Sequence, residues 1–406
     1  MRLAKILIST GIFLALLGGT ALAFSVYRNN PNNAGPLVFS DRTMLAGLWD
    51  SYKKEHWEAS TGRTLDNEQD NLTTSEGQSY TMLRAVWQND KPTFDKTWGW
   101  TQEQLQHKDS SLFSWKWGKK SDGSYGVLTA ENGQNTASDA DTDIALALLM
   151  AGNRWGQQSY IDSSKKIISD IWDEEVVIIK DKPYLAANNI EKNSQERIIV
   201  NPSYLAPYAY KLFAVADTTP DHNWRVLSDS SYTFLSQSID AKLDKSRSAG
   251  LPPDWVMIMR KTGEMKPVTE AQLTTNYGFD ALRVPWRIAM DYNWNKDVRA
   301  NELLGKMSFL DKEWQNNSKI ASVYQHDGSI QADDEVAAMY GGAMGYFTVR
   351  NPMQATELYQ QKLKTLYDPN KQSWAAPMSY YSDNWAWFGM ALYSDNLPNL
   401  TETRTK

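Results

Sequence analysis

The chain has 406 residues, with 42 Lys and Arg against 48 Asp and Glu, a formal net charge of −6 and a pI near 5.4. That length can bury one large core or two modest ones, and the acidic balance argues against a nucleic acid as partner, since phosphate contacts need a basic footprint. There is no Cys, which excludes disulfides, thiol catalysis and Cys-ligated metals, and the four His form neither H-E-x-x-H nor a close pair, so a zinc site is not expected.

The chain opens on a short basic flank, Met1 to Lys5, followed by an apolar run from Ile6 to Val26. Ala21-Leu22-Ala23 fits the small-x-small pattern of a signal peptide. The run continues through Phe24, Ser25 and Val26 into Tyr27-Arg28, which fits an uncleaved membrane anchor. Residues 1–27 are therefore read as one or the other, with the working domain secreted or held at the outer face of the cell membrane. Residues 28–39 read as a Pro/Asn/Gly linker, residues 40–396 as one domain, and residues 397–406 as a frayed tail.

From Ser40 onward the periodicity is helical. Helices are expected over Asp41–Trp57, Ser75–Asn89, Thr93–His107 and Ser138 onward, with a Trp/Gly-rich loop over Leu112–Thr129. A fifth spans Gln157–Glu175, followed by short strands or edge loops at Val176–Lys180 and Tyr184–Ala187. Asn201–Ala216 is the sixth, where Pro207 bends the helix or delays its start. His222–Leu235, Tyr277–Tyr292, Ala300–Trp314, Ala332–Phe347, Met353–Leu366 and Asn384–Tyr393 complete twelve, with a short strand over Trp255–Arg260. Twelve helices suggest six hairpins closed into a ring, with uniformly apolar helices such as the fourth and tenth lying inside. A solenoid would show a repeat motif, and none is visible.

The polar knot before the fourth helix carries the most information. In Ala137-Ser138-Asp139-Ala140-Asp141-Thr142-Asp143, Ser138 is a candidate N-cap and Asp141 completes a capping box. Asp139 falls in the first turn, and Asp143 shares its face. A calcium loop would need Gly at its sixth position and Glu at its twelfth; Ile144 and Met150 stand there. Local pattern leaves two readings open, a well-capped core helix or a carboxylate that handles water or sugar.

Two further helices start on an acid. Ser75-Glu76-Gly77-Gln78 has the spacing of a capping box around Glu76. Asp280 precedes Arg283 and Arg287 by one and two turns. In a closed ring the inner helices run parallel, so Glu76, Asp139 and Asp280 converge on one rim. A proton donor, a water activator and a sugar-holding acid are what glycoside hydrolysis requires. A helix start lowers a carboxyl pKa whereas a general acid needs it raised, so burial or neighbouring acids must win at the donor. The 17 Trp and 20 Tyr supply flat faces on which sugar rings stack. Most of them fill the core; Trp115, Trp117, Trp255 and Trp286 are the candidate platforms. Tyr204, in Asn201-Pro202-Ser203-Tyr204, can orient a water or simply pack.

These motifs together resemble glycoside hydrolase family 8. The family signature looks like A-[ST]-D-[AG]-D-x-x-[IM]-A-x-[SA] followed by apolar positions, and Ala137 to Trp155 fits it throughout. Thr74 to Tyr80 resembles the proton-donor segment, Asn201 to Tyr204 another family segment, and Phe279 to Arg283 the segment holding the base. The resemblance spans roughly Ser40 to Tyr393. It implies an all-α (α/α)6 barrel with short strands in its loops. Glu76 is then the general acid and Asp280 the base, while Asp139 contacts the sugar beside the scissile bond. Tyr204 then helps to place the water; with it, Trp115, Trp117, Arg283 and Trp286 are the candidate substrate-binding residues. It also implies inversion, with acid and base about 6.5–9.5 Å apart, no cofactor, a β-linked polysaccharide as substrate and a monomeric state apart from any membrane attachment through the leader. A cellulose-like β-1,4-glucan is the expected polymer; chitosan, xylan and mixed-linkage glucan are alternatives within the family. A non-catalytic extracellular glycan-binding protein is the alternative outside it.

Overall fold

The computed structural model describes residues 36–401, with side chains from Asp41 onward. Among the described residues six outer staves, one of them a pair of helices, alternate along the chain with six inner helices. The inner set is α2 (Ser75–Gln88), α4 (Ser138–Trp155), α6 (Pro207–Ala216), α8 (Arg283–Asn295), α11 (Ala337–Arg350) and α13 (Tyr380–Tyr393). The outer set is α1 (Pro36–His56), α3 (Lys91–Gln104), α5 (Gln158–Glu175), α7 (Trp224–Asp240), the pair α9 (Val298–Lys306) and α10 (Phe309–Asn317), and α12 (Pro352–Leu358) with its π turn Tyr359–Leu363. The expected (α/α)6 barrel is the fold. The ninth expected helix is split in two, between Lys306 and Phe309.

The sequence explains which helices go inside. Every residue from Ser138 to Gly152 in α4 is buried, as is nearly all of α2 except Glu76. A helix apolar all round, or polar only where partners meet it, has to be enclosed. The amphipathic α5, with Tyr160, Ile167, Ile168 and Ile171 inward, forms an outer stave.

The last two inner helices are welded at glycines. A Cβ on Gly341 would collide with the Trp385 carbonyl, and one on Gly389 with the backbone of Gly341. Gly345 meets the backbone of Pro285 in the same way, so α8, α11 and α13 touch main chain to main chain. The ring closes on a buried cation. Arg84 of α2 donates to Asp383 (2.9 Å) and Asn384 (3.0 Å) of α13 and lies against the rings of Trp49, Tyr52 and Trp387.

Short strands sit between the helices. β1 (Thr73–Thr74) pairs antiparallel with β2 (Lys116–Lys119), Thr73 opposite Trp117, and β2 pairs with β3 (Tyr125–Val127). β4 (Val176–Ile179) and β5 (Lys182–Leu185) form an antiparallel pair after α5, so the segments left open as strands or edge loops are strands. β6 (Arg197–Val200), β7 (Val256–Met259) and β8 (Met265–Pro267) form a second three-stranded sheet.

Several local expectations need correction. Ala137 is the N-cap of α4, not Ser138, whose hydroxyl donates to the Ala186 carbonyl at 2.7 Å. Thr74 caps α2 by accepting from Gly77 N–H, which leaves Gln78 free to donate to Thr101. Of the two expectations for Pro207, the delayed start holds and the bend does not. Asn201 starts a separate 3-10 turn, Pro202–Tyr204, and Pro207 opens α6 at the position where a missing N–H costs nothing. The tail packs as far as Thr401: Leu397 is buried and its carbonyl accepts from Trp294. The membrane expectation is also corrected. No helix among the described residues is long and apolar enough to cross a membrane, and the run Ile6–Val26 on which the anchor reading rested lies outside them.

The glycine seam gives a paired expectation. Gly341→Ala should destabilise by roughly 1–3 kcal/mol through overpacking against backbone that cannot yield. Gly99→Ala, on the exposed face of α3 with open space around it, should stabilise by up to about 1 kcal/mol through helix propensity. Urea midpoints of the two variants check both signs.

Candidate active site

The N-termini of the inner helices meet at one mouth of the barrel. Glu76 lies in the first turn of α2, Asp139 in the first turn of α4, Arg283 opens α8 and Tyr380 opens α13. The guanidinium of Arg283 gathers the acids. Nη1 donates to Glu76 Oε2 at 2.7 Å and to Asp139 Oδ2 at 2.9 Å, and Nη2 donates to Asp280 Oδ1. Tyr380 donates its hydroxyl to the other Glu76 oxygen at 2.9 Å. All three predicted carboxylates therefore stand around one buried cation. They are not equally open: the side chains of Glu76 and Asp280 are 22% and 30% exposed, that of Asp139 only 3%.

Asp280 is not in a helix. Asp254 accepts the N–H groups of Gly278 (3.2 Å), Asp280 (3.1 Å) and Ala281 (2.7 Å), holding a turn that delays α8 until Arg283. Pro285 then falls within the first helical turn, where its missing N–H has no intrahelical partner to lose. The second oxygen of Asp280 accepts from the indole N–H of Trp255 at 2.9 Å. Trp255 in turn packs edge-on against Tyr204, whose ring lies under the Arg283 cation at 5.2 Å.

Burial dominates the titration of Glu76 and Asp139. It pushes the Glu76 carboxyl above the usual range against the opposing pull of Arg283 and Tyr380, and the charge of Asp280 adds to the rise. Burial likewise lifts Asp139 to about 7, with Arg283 opposing and Glu76 adding. The helix-start effect that lowers a carboxyl pKa is thus outweighed at both positions.

The aromatic candidates divide. Trp115 lies half-buried beside the start of α2, its carbonyl accepting the Ser75 N–H and its indole donating to Asn132. Trp117 is already covered by Tyr125, stacked at 5.6 Å, and by the Arg63 cation at 5.1 Å. The ring left open on that hairpin is Tyr125, 59% exposed. Trp286 is 2% exposed and donates to the Phe388 carbonyl; its reading as a sugar platform is corrected to core packing. Arg283 is likewise buried beneath the acids and not set beside a bound chain. Sequence reasoning missed Tyr380, Asp254, Tyr125 and Phe279. Phe279 is exposed one residue before Asp280 and lines a cavity of about 640 Å³ with Val336, Tyr340, Met378 and Ser379.

The fold and the mouth site define a class, an (α/α)6 barrel with an acidic trio at the N-terminal ends of its inner helices. The chain belongs to glycosyl hydrolases family 8, whose profile matches residues 27–394. An endoglucanase of Cellulomonas uda is 31% identical over 250 residues, covering 61% of this chain and 64% of that one. An endoglucanase of Escherichia coli K12 is 32% identical over 252 residues, covering 60% and 61%. The matched stretch thus spans less than two thirds of either relative. The solved endo-1,4-D-glucanase of Vibrio fischeri ES114 superposes with a TM-score of 0.71 at 26% identity, over 86% of this chain and 94% of that one.

Behind Asp139 lies a second acid pair. Asp141 and Glu175 are both fully buried, and burial with the charge of neighbouring acids raises both carboxyls above their usual range. Thr136 donates its hydroxyl to Glu175, and Phe113 its N–H to Asp141. Burial lifts Glu175 to about 8, against about 4.3 in an unfolded chain. Between those values the native state holds the extra proton. This contribution to stability is therefore intact below about pH 4 and is lost as pH rises toward about 8. Glu175→Gln should flatten that decline. Urea midpoints at about pH 5 and about pH 8 check it; an equally steep loss in the variant would remove Glu175 as its source.

Proposed function

We propose that the protein hydrolyses internal β-1,4 bonds of a glucan with inversion, Glu76 acting as general acid and Asp280 as general base. The observation that carries this reading is the single guanidinium of Arg283, with Glu76 on one prong and Asp280 on the other. Glu76 needs a proton at working pH, and its buried surroundings favour the neutral form. Asp280 is the most open of the three acids and is held by two donors, Arg283 and Trp255.

In this reaction Glu76 gives its proton to the glycosidic oxygen as the bond to the anomeric carbon breaks. A water attacks that carbon from the opposite face and loses a proton to Asp280. Glu76 ends as the anion and Asp280 as the acid, and one proton exchange with solvent resets the pair. Arg283 and Tyr380 stand ready to stabilise the Glu76 carboxylate as it forms. Asp139, buried beside the same cation, contacts the sugar at the scissile bond, and Tyr204 helps to position the water. Phe279, Tyr125 and Trp115 offer faces to neighbouring sugars. The endoglucanase relatives support a cellulose-like glucan over chitosan or xylan.

Reducing-end release from a soluble cellulose derivative tests the reading. Glu76→Gln and Asp280→Asn should each lose about 10²–10⁴-fold in kcat. With an activated leaving group Glu76→Gln should recover much of its rate and Asp280→Asn should not. An Asp280→Asn enzyme with near-normal turnover would remove Asp280 as base, and glucan binding by the intact protein without hydrolysis would make it a binding protein. Phe279→Ala should raise KM more than it lowers kcat, whereas Trp286→Phe should leave KM unchanged.

A further inference from the structure

One helical turn below the acid trio lies a second buried ion pair that the reaction does not touch. Asp139 and Asp143 are four residues apart on α4, and Arg283 and Arg287 four apart on α8, so each pair shares a helix face. Arg287 grips Asp143 with both prongs, Nη1 to Oδ1 at 2.9 Å and Nη2 to Oδ2 at 2.8 Å. Tyr208 of α6, the helix between them in the ring, meets Nη1 at 3.0 Å. All three side chains are buried, and Arg287 Nε has no partner. A hydrophobic pair would serve packing alone at least as well, because a buried ion pair rarely adds net stability.

We propose that Asp143 and Arg287 are positioning residues whose balanced charges set the proton affinity of the acid trio above them and hold Arg283 in register with Asp139. This rests on the reading of Glu76 as general acid. The two charges act on the trio with opposite sign. Asp143 makes a proton on Asp139 harder to lose and Arg287 makes it easier, and Asp139 acts on Glu76 through their shared contact with Arg283. Paired, the two oppose each other. The other titratable groups facing these tiers are Tyr80 from α2, Tyr204 and Tyr210 beside Tyr208, Tyr380 and Tyr381 from α13, Asp280, and Asp141 with Glu175 behind Asp139. None of them forms an ion pair with the lower tier, so removing one partner leaves the other uncompensated.

The test is the pH dependence of kcat/KM on a soluble β-glucan, whose alkaline limb reports the acid. Asp143→Asn leaves Arg287 bare and should move that limb down by roughly one pH unit; Arg287→Gln leaves Asp143 bare and should move it up by about as much. The double variant should return it close to the wild-type position. Tyr208→Phe keeps both charges, removes one acceptor from Arg287 and should lower the limb by a few tenths. A purely structural pair would lower kcat in the single variants without moving the limb in opposite directions, and that outcome overturns the proposal. If the single variants do not fold, an unmoved limb in Tyr208→Phe overturns it. A wild-type enzyme inactive on every β-glucan would instead sink the functional reading on which the inference stands.

Discussion

A single positive charge governs the mouth of this barrel. Arg283 is buried, and three carboxylates from three different parts of the chain lean on it. With all three ionised the group would carry two uncompensated negative charges in a place poor in water, a state the surroundings resist. Removal from solvent therefore does two jobs: it makes the cation necessary, and it favours the neutral form of Glu76 and Asp139 against the cation's own pull. The aromatic shell of Tyr80, Tyr204, Tyr380 and Tyr381 supplies that environment while offering hydroxyls where hydrogen bonds are needed.

Much of this was legible in the sequence, and the reason is local. An acid in the first turn of a helix is marked by its neighbours in the chain, so Glu76 and Asp139 stand out within a few residues. The convergence of the acids followed from counting helices and requiring the inner ones to run parallel. What escaped was set by distant contacts. Tyr380 reaches Glu76 across 304 positions of chain. Asp254 shapes the turn before α8 from 24 residues upstream of the first N–H it takes, and a periodicity that extends through Tyr277 hides that interruption. Caps failed for the same reason: Ser138 had a better partner in a carbonyl of another segment.

Aromatic residues show the limit most clearly. Trp286 and Phe279 lie seven positions apart, near the same acid, and composition ranks the larger ring as the better platform. Their fates are opposite because Trp286 is inside α8 and faces α13, while Phe279 rides on the turn that Asp254 holds away from the helix. Which face of an element meets solvent depends on where the element begins, and that boundary is where sequence patterns are weakest.

The glycine seam between α8, α11 and α13 has a consequence for how such a barrel can change. Where main chains abut, the spacing of these three inner helices is fixed by atoms every residue shares, and a side chain added at the seam would have to force them apart. Adaptation to a bulkier or more branched polymer is thereby driven outward, to the turns and hairpins crowning the mouth.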